Sequence, residues 1–173
     1  MLAQMPDVKW EDDLYREIIL DHFSNPRREG TVADPEISVH GVNPVCGDEL
    51  KLSAKVSDGT LTDLRIKTKG CSISQASSSI MAEALQGKSL SEAKGLIEQF
   101  KGMMLEHKSA DSLASDLEDA RALEGVKNYP VRIKCALLAW NSALQGLSDF
   151  SGQKEKVHST LTEKTEDDIY GKQ

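Results

Sequence analysis

Two period-two segments joined by an Asp-Gly turn, followed by helix-period segments opened by capping signals, predict an α+β chain with a small antiparallel sheet packed on one side by helices. Leu50, Leu52, Ala54 and Val56 alternate with Lys51, Ser53 and Lys55, the pattern of a strand with one buried face. Asp58-Gly59 supplies the hairpin turn. The returning strand places Leu64, Ile66 and Thr68 against Arg65, Lys67 and Lys69, and the out-of-phase Leu61 marks a bulge or the turn itself.

The remaining elements are read in order around that hairpin. Residues 12–24 carry Leu14, Ile18 and Phe23 at helical spacing and stop at Asn25-Pro26, which predicts an amphipathic opening helix. Residues 27–36 read as a loop, 37–40 as a short extended piece, and the punctuated stretch 41–48 as a loop again. At Gly70-Cys71 the period changes. Ser72 and Gln75 have capping-box spacing, so a helix is expected over 73–85 with Cys71 just before its N-terminus. A second box, Ser89 with Glu92, opens a helix running toward Met104. Residues 107–124 are charged and rich in small side chains, the composition of a helical insertion. The last helix starts near Tyr129-Pro130 and carries Ile133, Leu137, Trp140, Leu144 and Leu147 in one core-facing stripe. These elements fill one domain over 1–150, and the polar residues 151–173 read as a flexible tail.

Composition narrows the function classes. The chain has 173 residues and a net charge of −7, with an isoelectric point near 5.1. Nucleic-acid binding calls for a basic stripe, and here lysines and arginines are scattered among carboxylates. No apolar run approaches the roughly 20 residues that span a bilayer. Residues 1–10 lack the basic and apolar regions of a signal peptide. A cytoplasmic protein with neither nucleic-acid nor membrane partners is expected.

Three cysteines cannot complete a disulfide framework, so their contexts matter. Cys46 and Asp48 flank a glycine, and on an extended loop both side chains can point the same way. Cys71, at a strand-to-helix junction, meets free backbone amides and the positive end of the helix dipole, which favour a thiolate. Cys135 lies two residues beyond Ile133, about 200° round a helix of 3.6 residues per turn, and so stands off the apolar stripe. Three thiols and a carboxylate match the four ligands of tetrahedral zinc. Free cysteines also pack as small hydrophobes, and spacing leaves both readings open. His22, His40, His107 and His158 form no ligand pattern and read as surface or satisfied core histidines.

Three blocks, each built around a cysteine, carry a resemblance. Asn43-Pro-Val-Cys-Gly-Asp48, Gly70-Cys-Ser-Ile-Ser-Gln-Ala-Ser-Ser-Ser79 and Arg132-Ile-Lys-Cys-Ala-Leu-Leu-Ala-Trp140 resemble the IscU/NifU N-terminal family, in its SufU branch. Lys134, where the IscU scaffolds carry a histidine, and the long interval from Cys71 to Cys135 favour that branch. The resemblance implies a helix-covered sheet with a zinc ion at one end, held by Cys46, Asp48, Cys71 and Cys135. It further implies docking to a pyridoxal-phosphate-dependent cysteine desulfurase, one of whose histidines replaces Cys46 on the metal. Cys46 then accepts persulfide sulfur for a downstream cluster scaffold. The cluster of negative ligands leaves a charge that Arg132 and Lys134 are placed to offset. A [2Fe–2S] or iron-binding scaffold is the alternative, since the same ligands suit iron, and a structural zinc adaptor without sulfur transfer is a third reading.

Overall fold

The computed structural model describes residues 10–163. The sequence expectations for residues 1–9 and 164–173 lie outside them. The described elements run α1 (Trp10–Ser24), β1 (Ile37–Asn43), β2 (Asp48–Ser57), β3 (Thr60–Lys69), α2 (Ser72–Leu85), α3 (Leu90–Leu105), three 3-10 segments (Ala110–Ser112, Ser115–Leu117 and Asp119–Asn128), α4 (Pro130–Gln153) and β4 (Val157–Thr162).

The sheet has the order β3-β2-β1-β4. The first three strands are antiparallel, as the alternation predicts, and β4 adds a parallel partner to β1. Leu61 is out of phase because the β2–β3 ladder shifts register between Lys55 and Val56, and this bulge returns Leu61 to the buried face. One face carries Ile37, Val39, Leu50, Leu52, Ala54, Leu64 and Ile66 into the core. The opposite face presents Lys51, Lys67 and Lys69 to solvent.

Two helices lie directly on the apolar face, α4 over β1 and β4 and α2 over β3, while α1 packs outside α2 and α3 against α4. Buried on both sides, α4 uses two stripes. The expected one contributes Trp140, which stacks on Phe100 with ring centroids 4.1 Å apart and donates its indole N–H to Ser77 Oγ at 2.9 Å. The other stripe, Leu138, Ser142 and Gly146, lies against the sheet. A Cβ on Gly146 would meet Cγ2 of both Ile37 and Val39 at 2.7 Å, and one on Gly41 would meet Ser142 Oγ at 2.2 Å. Glycine at these two points lets helix and strand approach closely.

Four expectations change. The stretch 41–48 is not one loop: β1 continues to Asn43, β2 starts at Asp48, and only residues 44–47 form the turn. The N-cap of α2 is Cys71 rather than Ser72, its Sγ accepting the Ser74 N–H. The insertion is helical only as 3-10 segments, and it is packed, with Leu113, Leu117, Ala120 and Leu123 in the core. The expected tail from 151 is partly ordered, since α4 reaches Gln153 and β4 follows. Strand β4 is tied at both ends by Val157 N–H to Glu36 O and Glu163 N–H to Val42 O, each at 2.8 Å. Its own polar Ser159 is satisfied by Asp149 of α4.

Among the histidines, His22 is 1% exposed, with Nδ1 at 2.8 Å from Ser79 Oγ and Nε2 at 2.7 Å from Asp119 Oδ2. It is a satisfied core histidine that ties α1 to α2 and the insertion. His40 pairs with Glu49 on the outer face of the sheet, Nε2 to Oε1 at 2.7 Å.

Candidate metal centre

Asp48 occupies the same alternating set as Leu50 and Leu52, so the pleat turns its carboxylate to the helix-covered side at the end of the sheet. Across the ladder its Cα partner is Asn43, the last residue of β1, whose side chain faces the same way. The turn between them presents Cys46, with Gly47 at φ +71° completing the reversal. Gly70, at φ +146°, ends β3, and Cys71 follows as the N-cap of α2. From α4, Cys135 reaches down to the same point from the second turn.

The Sγ atoms of Cys46 and Cys135 and a carboxylate oxygen of Asp48 lie within 4.8 Å of one another. The two sulfurs are 3.1 Å apart as free thiols. Cys71 completes the group through Asp48. Its Sγ stands 4.0 Å from Oδ2, and its N–H donates to Oδ1 at 2.9 Å. Asn43 Nδ2 lies 3.3 Å from Asp48 Oδ2 and 3.6 Å from Cys135 Sγ, while its Oδ1 accepts the Val45 N–H at 3.3 Å.

Exposure divides the four. Asp48 and Cys135 are 0% and 1% exposed, whereas Cys46 and Cys71 are half-buried and line an open cleft of about 600 Å³ with Tyr129, Pro130, Val131 and Arg132. Burial pushes the Cys135 thiol well above its ordinary value, and neighbouring Cys46 and Asp48 add to the effect. A buried thiolate beside a carboxylate is therefore unfavourable unless a cation joins them, which is the condition a metal ion meets. Arg132 supplies part of that positive charge. Its guanidinium is held above its ordinary value by the charge of Cys71 first and by a hydrogen bond to Cys135 next.

The donor set fits a thiophilic divalent ion: three sulfurs, plus one carboxylate oxygen already oriented by an N–H on its other oxygen. Two zinc–thiolate bonds of about 2.3 Å hold their sulfurs about 3.8 Å apart in a tetrahedron. The Cys46–Cys135 pair must therefore widen, and Cys46 sits on the exposed turn that can yield.

The structure thus gathers Cys46, Asp48, Cys71, Cys135 and Arg132 in one place. Lys134, half-buried, lies about 100° round α4 from Cys135. Sequence reasoning gave no role to Asn43, whose burial follows from its two-residue spacing with Gly41 and Val39. It also passed over Gly70, where a Cβ would fall 2.1 Å from Asp48 Oδ1. Nor did it single out the exposed apolar rim of Val45, Tyr129 and Val131 beside the cysteines, which are 50%, 65% and 52% exposed.

A mixed sheet covered on one face by helices, with three cysteines and an aspartate converging at its end, defines an α+β domain with a candidate metal site. The chain belongs to the family described as the NifU-like N terminal domain, whose model matches residues 14–136. It is 40% identical over 141 residues to the zinc-dependent sulfurtransferase SufU of Bacillus subtilis, covering 82% of this chain and 94% of that one. It is 35% identical over 138 residues to the iron–sulfur cluster assembly scaffold protein IscU of Thermotoga maritima, covering 80% and 95%. The crystal structure of a NifU-like N-terminal protein from Brucella abortus superposes with a TM-score of 0.75 at 26% identity, covering 83% of this chain and 98% of that one. Among the described residues no helix is long and apolar enough to cross a membrane.

Proposed function

We propose that this chain is a zinc-dependent sulfur acceptor, taking persulfide sulfur from a pyridoxal-phosphate-dependent cysteine desulfurase and passing it to a cluster scaffold in the cytoplasm. The observation that carries the reading is the inequality of the four donors: Cys135 and Asp48 are buried, Cys71 reaches the cleft but is fixed as the N-cap of α2, and Cys46 stands half-exposed on the turn between β1 and β2 at the mouth of the cleft. The likeness to a zinc-dependent sulfurtransferase supports it.

Zinc, held by Cys46, Asp48, Cys71 and Cys135, would keep the thiols deprotonated and the site closed. Cys46 is the nucleophile. Its thiolate attacks the outer sulfur of the desulfurase persulfide, the sulfur–sulfur bond of the donor breaks, and the donor cysteine leaves as a thiolate. A persulfide is formed on Cys46 with no net oxidation or reduction. Arg132, beside Cys71 and Cys135, steadies the negative charge that gathers as the donor approaches. The rim of Val45, Tyr129 and Val131 gives the partner an apolar seat that excludes water around the exchange.

Reaction with desulfurase and cysteine, followed by alkylation and mass mapping, tests the assignment. One added sulfur on Cys46 is expected, with none on Cys46→Ser; sulfur carried by Cys71 or Cys135 instead overturns it. The likeness to the IscU scaffold favours a second reading, in which the same four residues carry a [2Fe–2S] cluster. Purification with bound iron and a coloured cluster, together with little stimulation of the desulfurase, would move the assignment there.

A further inference from the structure

Asn43 is 0% exposed, at the end of a strand face otherwise made of Ile37, Val39 and Gly41. An amide buried there is destabilising unless its donors and acceptor find partners. Every polar group of this side chain is used, and the pattern of use is informative. The Val45 backbone N–H can only donate, so it must face Oδ1. That contact sets the orientation of the amide. Both hydrogens of Nδ2 are then turned toward Asp48 Oδ2 and Cys135 Sγ, the two most buried members of the metal-binding set. One side chain from β1 therefore ties together ligands delivered by β2 and α4.

We propose that Asn43 is a positioning residue of the metal centre. It holds Asp48 and Cys135 in place as ligands, while Cys46 stands half-buried on the turn at the mouth of the cleft. The inference rests on the reading of the centre as a zinc site. Its physical basis is that N–H donors aimed at a carboxylate and a sulfur restrict their rotation and fix their orientation, as outer-shell donors do in metal sites. The hydrogen bond that the Val45 N–H donates to Asn43 Oδ1 also links this clamp to the turn that carries Cys46. The start of the turn is anchored while the Cys46 sulfur, one residue beyond Val45, remains half-exposed.

The test compares the full chain with Asn43→Ala, Asn43→Leu and Asn43→Ser by competition for zinc against a chromophoric chelator, alongside the absorption of the cobalt-substituted proteins. Losing an outer-shell donor typically costs about 10–100-fold in metal affinity, and that loss is expected for both Ala and Leu. A weakened thiolate-to-cobalt charge-transfer band should accompany it. The Ser variant, which keeps a hydroxyl donor, should fall between them and the parent. Unfolding of the metal-free proteins separates a structural role, because Leu conserves volume and would preserve stability more than Ala while losing zinc to the same extent. Where a variant folds only with metal, the zinc concentration at half-folding replaces the chelator readout. Zinc affinity within twofold of the parent in the Ala or Leu variant overturns the positioning role and leaves the zinc reading standing. A parent chain that binds no zinc removes both.

Discussion

Replacing Gly70 by alanine probes the joint between fold and metal centre. The added Cβ would lie 2.1 Å from Asp48 Oδ1, 2.8 Å from its Cγ and 3.0 Å from its Cα, at a backbone φ of +146°. The side-chain atoms can rotate away but the backbone cannot, so Asp48 must turn and surrender the Cys71 N–H that it accepts at 2.9 Å. A sparsely populated backbone conformation costs about 1–3 kcal/mol for a residue with a Cβ. Loss of a hydrogen bond to a charged group adds about 1.5–3 kcal/mol. The sum is about 2.5–6 kcal/mol. At about 3 °C per kcal/mol for a chain of this size, the metal-free protein should melt about 8–18 °C lower and lose zinc affinity with it. Gly47→Ala is the matched control: φ is +71°, but the new Cβ meets nothing within 4 Å, so only the left-handed penalty of about 1–2 kcal/mol applies. Thermal unfolding in chelator and zinc titration of both variants give the comparison. Equal losses at the two glycines, or a Gly70→Ala protein with parental zinc affinity, would refute the argument that Gly70 exists to admit the Asp48 carboxylate.

Two further predictions concern the scaffold. His22→Ala removes a side chain that is 1% exposed and strands the buried Ser79 hydroxyl, a group that also accepts the Arg27 N–H at 2.8 Å; a loss of about 2–4 kcal/mol is expected in urea unfolding, and a loss below about 0.5 kcal/mol would show the network to be idle. Asp149 is held below its ordinary value of 3.8 by its hydrogen bond from Ser159 first and from Gln145 next. A depressed carboxylate stabilises the fold above its unfolded pKa and loses that contribution as pH falls through the folded value. The stability difference between the parent and Asp149→Asn should therefore be constant above about pH 5 and vanish on acidification below 3.8, with amide exchange in Val157–Thr162 rising in step; a difference that persists at low pH would refute the link.

Much of the hairpin and of the helix starts was legible because the signals are local. Alternation marked β2 and β3, and Leu61 out of phase pointed to a bulge or to the turn itself, between which the register shift at Lys55 and Val56 decides for the bulge. Ser89 and Glu92 opened α3 where expected, with the Glu92 N–H on Ser89 Oγ at 3.2 Å. The cap of α2 was misplaced by one residue because a cysteine outcompeted the adjacent serine, accepting the Ser74 N–H at 3.4 Å. Asp48 could have been assigned to a strand, since it precedes Leu50 by two residues; its charge and the neighbouring glycine suggested a loop instead. Strand β4 left almost no trace. Only Val157 and Leu161 are apolar, and the element is secured by a parallel partner far away in the chain and by the Ser159–Asp149 contact.

For the candidate metal centre, the chain order alone determined the chemistry on offer: three thiols in distinct local settings, one carboxylate beside a thiol, and a cysteine set off the apolar stripe of the last helix. Periodicity and capping act over a few residues, so they could place each donor on its element but not beside the others. That Cys46 and Cys135, separated by 89 positions, stand 3.1 Å apart was decided by how deeply α4 settles onto β1. The depth depends on the bare backbones of Gly41 and Gly146 meeting Ser142, Ile37 and Val39. Close packing between distant segments converts four scattered donors into one site, and only the tertiary structure contains that information.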